Sequence, residues 1–209
     1  MNDVLRVAYH EALHAFVAFV RGATVNGISV VGHRNRDDTV TWDGRAQIDT
    51  LGLHPMAVAE IALAGPVAEL HYVLVTKKSK DHSMPVADAF VGTTLLADFI
   101  PQLAEVLEAI RTGREPERMR VCAKAMRRGV VTESTVFLGD CFGDARDAID
   151  AIGSDPGRLQ TGIAAVVDIL AQQDHAGRVM AAARELQDVD DSLDRTLPGD
   201  RVREIFGGQ

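Results

Sequence analysis

Within an apolar run near the start of the chain, His10-Glu11-Ala12-Leu13-His14 sets two imidazoles four residues apart, with a carboxylate beside the first. On an α-helix this spacing brings both rings to one face, where two nitrogens can share a single Zn²⁺ ion. Glu11 stands one step round the helix, placed to take a proton from an attacking water rather than to ligate the metal. Two histidines and a carboxylate in the order HExxH form the arrangement that activates water for peptide-bond hydrolysis.

The elements that must position these side chains can be read from periodicity. Asn2 or Asp3 caps a first helix that runs to about Arg21 and stops at Gly22, with Val7, His10, His14, Val17 and Arg21 along one side. The period then changes. Thr24 to Val31 and Thr39 to Trp42 are rich in β-branched residues and flank the polar turn 33–38, which predicts a small hairpin or short sheet. A free edge of such a sheet holds an extended peptide by backbone hydrogen bonds, and the strand around Val25 to Val31 is expected to align it.

Pro55 opens a second helix with Met56, Leu63, Val67 and Leu70 on its packed side, and Gly65-Pro66 is expected to bend it. A polar segment from Thr76 to Ser83 follows, then a helix from Pro85 to about Ile110. The second half reads as helical throughout: Glu115 to Arg128, Thr132 to Ile152, Pro156 to Gln173, His175 to Leu186 and Arg201 to Phe206. Ser154-Asp155-Pro156 is a stop-and-restart signal within it. The expected organisation is one mainly α domain over 1–209, with a metal-site half (1–98) and a helical half (99–209).

Composition sets limits on partners. The formal charge of -8 argues against nucleic acid or an anionic membrane as the main partner. Cys122 and Cys141 lack metal-ligand spacing and form no disulfide framework, so they read as small buried residues in a reducing compartment. Val4 to Val20 is interrupted by His10, Glu11 and His14, and no other segment offers about 18 uninterrupted apolar residues for a membrane span. A cytoplasmic protein without a membrane span is the expectation. Aromatics make up only 5%, so Ala, Val, Leu and Ile must fill the core.

A catalytic zinc site uses three protein ligands and keeps a fourth position for water. Spacing leaves the third ligand open among Glu60, Glu69, Asp81, Asp88 and Asp98. His33, His54, His71, His82 and His175 read as surface or structural histidines.

Val7-Ala8-Tyr9-His10-Glu11-Ala12-Leu13-His14-Ala15 resembles the V-A-Y-H-E-A-G-H-A signature of the proteolytic domain of FtsH-type ATP-dependent zinc metalloproteases, peptidase family M41. Val25 to Val31 is similar to the strand that follows that motif. Ile61 to Glu69 resembles the family's second helix, close to A-L-G-G-R-A-A-E-E. Asp88-Ala89-Phe90-Val91-Gly92-Thr93 resembles the N-D-[LI]-x-x-A-T segment, and Thr196 to Ile205 the closing T-L-x-G-x-x-[IV]-R-x-I stretch. The likeness covers most of the chain and is patchy between Phe99 and Thr161.

The resemblance implies a zincin-like metallopeptidase domain with Zn²⁺ on His10, His14 and Asp88, with Asp81 second to Asp88, and Glu11 as the base. Leu13 replaces the family's glycine, and Ala87 its asparagine. The sequence contains no G-x-x-x-x-G-K-[ST] phosphate loop, so the resemblance implies a polypeptide substrate that is flexible, unfolded or delivered by a separate protein or ATPase, with oligomeric state open. The competing reading is a catalytically degraded M41-like helical binding module.

Overall fold

The computed structural model describes residues 4–76, 104–107, 109, 112–113, 120–127, 130–138, 141–189 and 193–207. The described chain is mainly helical and divides into two compact units, Met1–Leu53 with Gly177–Gln209, and His54–Ala176.

The first unit begins with α1 (Val4–Val20), whose stretch from Ala12 to Ala18 is buried. The helix stops where the sequence places the stop. Gly22 adopts φ 78°, a left-handed conformation that glycine enters without a Cβ penalty, and Ala23 N–H returns to Ala18 O at 2.9 Å.

The hairpin follows as β1 (Thr24–Arg34) and β2 (Val40–Asp49), antiparallel, with Ile28 opposite Ala46 and Val30 opposite Gly44. A register shift between Val25 and Gly27 changes the phase of alternation, so that Val25, Ile28 and Val30 are all buried. At the hairpin turn, the Thr39 hydroxyl and N–H both donate to Asp37 and hold its carboxyl below the usual range.

A third strand, β5 (Asp194–Pro198), comes from the far end of the chain and pairs antiparallel with β1, from Gly27 opposite Pro198 to Val31 opposite Asp194. The sheet order is therefore β2-β1-β5, with β1 in the middle. The final helix, α6 (Gly199–Gly207), returns Phe206 to the core, where its ring meets Phe16 edge-on at 5.0 Å. Arg203 ties this helix to β1 by donating to Val25 O at 3.0 Å, and Arg201 forms a two-pronged ion pair with Glu185 at 2.7 and 2.9 Å.

Phe206 is fully buried, so truncating it removes both a ring contact and packed volume. Phe206→Ala is expected to cost about 3–5 kcal/mol in chemical denaturation, the range for emptying a buried phenylalanine site.

The second unit is built round α2 (Pro55–Thr76), which continues through Pro66 and is buried from Ala59 to Tyr72. Against it pack α3 (Phe142–Ile152) and α4 (Pro156–Ala171), and Gly162 lies so close to Leu63 that a Cβ there would sit 2.7 Å from Leu63 Cδ1. Asp155 caps α4 by accepting from Arg158 N–H at 3.0 Å with Pro156 in the first turn, as the stop-and-restart signal predicts. α5 (His175–Asp188) follows and belongs to the first unit from Gly177 onward.

One expectation fails in this unit. The helices expected over Glu115 to Arg128 and Thr132 to Ile152 give way, before Phe142, to an antiparallel hairpin, β3 (Arg120–Arg127) and β4 (Val130–Phe137), with Arg127 opposite Val130. Ala123 to Arg127 carries good helix formers, but cross-strand pairing overrides such a weak local preference. Most of the helix expected over 85–110 lies outside the described residues, although 104–107 are helical.

Candidate metal centre

His10 and His14 are set by a continuous helix, and the helix is set by its packing on the sheet. α1 lies against β1 and β2 and buries Tyr9, Leu13, Phe16 and Val17 completely. The two Nε2 atoms approach to 3.1 Å, with the ring centroids 4.9 Å apart. Two Zn–N bonds of about 2.0–2.1 Å at a tetrahedral metal place their nitrogens roughly 3.3 Å apart, so the pair has the separation of a two-imidazole chelate. The same separation suits an N–H···N hydrogen bond in the metal-free chain. His14 is 8% exposed and His10 half-buried, giving one sheltered imidazole and one accessible from solvent.

Glu11 points to the sheet. Its Oε2 accepts the Ala46 N–H of β2 at 2.7 Å. Among the described residues, Oε1 takes no further hydrogen bond. Gly44, two residues earlier on the same strand, lies beneath the side chain: a Cβ there would fall 2.4 Å from Glu11 Cγ and 2.6 Å from Oε1. The carboxylate of Glu11, next in sequence to His10, thus lies against β2 with one oxygen engaged. Burial pushes the adjacent Tyr9 hydroxyl far above its ordinary pKa, so it stays a neutral phenol. Leu13, at the position where the resembled signature has glycine, is fully buried. The larger side chain is accommodated in the core.

The strand expected to align a peptide needs correcting. β1 is paired on both sides through Gly27 to Val31 and has no edge to offer there. β2 is the outer strand, largely exposed, with nothing paired to its far side among the described residues. The signal for the full length of β2 was present in the period-2 series Trp42, Gly44, Ala46, Ile48, but a glycine in the middle conceals a strand.

Of the carboxylates considered as third ligand, Asp81, Asp88 and Asp98 lie outside the described residues, as does His82. Glu60 and Glu69 are buried within α2, at 6% and 5% exposure.

The remaining histidines are structural or superficial. His33 pairs with Asp43 at 3.1 Å on the exposed hairpin, and His54 Nδ1 accepts the Met56 N–H at the start of α2. His71 is buried in α2, and His175 Nδ1 lies 2.7 Å from Ile169 O. Among the described residues, no helix is long and apolar enough to cross a membrane. No protein-family model matches the chain, and no curated protein sequence matches it significantly.

Proposed function

We propose that this protein is a zinc-dependent endopeptidase of the M41-like kind, acting on flexible or unfolded polypeptide. The observation that carries the reading is the pair of imidazole nitrogens 3.1 Å apart on α1, with the intervening Glu11 carboxylate held at the outer strand of the sheet. His10, His14 and an aspartate would hold a zinc ion, which would supply Lewis acidity and bring the pKa of a water toward neutrality. Glu11 takes the proton of the attacking water and returns a proton to the leaving amine. The outer strand β2 offers backbone groups to an extended peptide, a mode of recognition that requires a segment free of its own secondary structure. Such a substrate arrives unfolded or is presented by a separate delivery protein or ATPase. The complete burial of Cys141 suits the reducing cytoplasm, where we place the protein.

The sequence resemblance gives Asp88 as the third ligand, with Asp81 second. Metal analysis after dialysis, on the parent chain and on Asp88→Ala and Asp81→Ala, tests the assignment. One zinc per chain is expected in the parent and a fall toward zero in Asp88→Ala. Loss in Asp81→Ala alone moves the ligand to Asp81. Full zinc in both variants rejects the His₂Asp site. A parent chain that binds no zinc and cleaves no flexible peptide library rejects the peptidase reading itself.

A further inference from the structure

β2 has a glycine where a solvent-facing strand gains nothing from one. Gly44 is not in the left-handed region, so its backbone conformation is open to any residue, and glycine in a strand interior weakens the strand. The reason for a missing side chain is therefore to be sought in what lies above it, and that is Glu11. An added Cβ would fall within 2.8 Å of Glu11 Cγ, Cδ and Oε1. Two residues along, the Ala46 N–H donates to Glu11 Oε2 at 2.7 Å. One strand thus supplies both the space and the hydrogen-bond donor for this carboxylate.

We infer that Gly44 is a positioning residue for Glu11: it keeps open the recess on β2 in which the carboxylate lies, so that Ala46 N–H fixes Oε2 and Oε1 remains to accept a proton. This rests on the peptidase reading for its catalytic consequence, though not for the coupling between the two residues. It also limits how a peptide pairs with β2. With Ala46 N–H already given to Glu11, an added strand must form its hydrogen bonds at other residues of the edge.

A double-mutant cycle tests the coupling without any need for activity. Gly44→Ala is expected to lower the melting temperature of the parent chain but not that of Glu11→Ala, where Cγ and the carboxylate are gone and the methyl group has room. An equal loss in both backgrounds overturns the inference, because the glycine would then serve the backbone alone. Should Gly44→Ala fail to fold, amide hydrogen exchange at Ala46 gives a second measurement. Exchange there is expected to be slow in the parent and faster in Glu11→Ala, and an unchanged rate overturns the hydrogen-bonded arrangement.

The kinetic counterpart uses a fluorogenic peptide. Gly44→Ala is expected to keep its zinc and its KM within about twofold while kcat falls roughly 10- to 100-fold, the scale of loss for a misplaced catalytic group. Coupled stability with an unchanged kcat overturns the positioning role. A parent chain that does not hydrolyse peptide defeats the peptidase reading and this catalytic role with it, an outcome distinguishable from absent coupling because the stability cycle is read separately.

Discussion

Glu11→Gln is expected to leave zinc content and fold unchanged while lowering kcat for a flexible peptide by about 10²–10⁴-fold, the usual contribution of a positioned general base. The substitution is nearly isosteric. The glutamine carbonyl oxygen can still accept the Ala46 N–H that Glu11 Oε2 accepts at 2.7 Å, so the contact between α1 and β2 survives. What disappears is the carboxylate that serves as the proton acceptor. Zinc content and kcat measured on one preparation separate the two roles. If zinc is retained and hydrolysis proceeds at the parent rate, Glu11 is not the base. If neither form hydrolyses and both bind a partner with equal affinity, the helical binding module becomes the better description.

The opening helix and its histidine pair were legible in the sequence because their determinants are local. Four-residue spacing fixes the common face, and Gly22 supplies the conformation that ends the helix. The first hairpin was legible for a similar reason, since β-branched residues flank a polar turn. The third strand was not. Asp194–Pro198 is five residues long and gains its identity from pairing with Gly27 to Val31, far away in the chain. Its absence from the sequence reading made β1 seem available to substrate, when it is the central strand.

The hairpin Arg120–Arg127 with Val130–Phe137 shows the opposite problem. Val130, Val131, Thr132, Thr135 and Val136 are a β-branched signal, but Ala123 to Arg127 argues for helix, and the local preferences disagree. Tertiary pairing decides. The candidate site divides along the same line. The two histidines and Glu11 are given by one pentapeptide, whereas a third ligand would have to come from elsewhere in the chain, which spacing does not encode. Gly44 belongs to this second class, because its value depends on a side chain 33 positions earlier.

His14→Ala is expected to abolish stoichiometric zinc binding, and its effect on stability identifies why. In the parent chain a ligand that binds only the folded state stabilises it by RT ln(1 + [L]/Kd), about 2.7 kcal/mol when free zinc is 100 times Kd. Adding zinc should therefore raise the melting temperature of the parent and leave that of His14→Ala unmoved. His14 is 8% exposed, so truncating it also disturbs packing and lowers the metal-free melting temperature somewhat. The comparison that matters is the zinc-dependent increment within each protein. His33→Ala, at the exposed hairpin end beside Asp43, is the matched control and should retain the full increment. Losing the increment in both would mean that zinc acts through surface histidines in general. Retaining it in both would mean that the pair on α1 holds no metal, and the 3.1 Å approach of the two rings would then be a hydrogen bond within a structural helix.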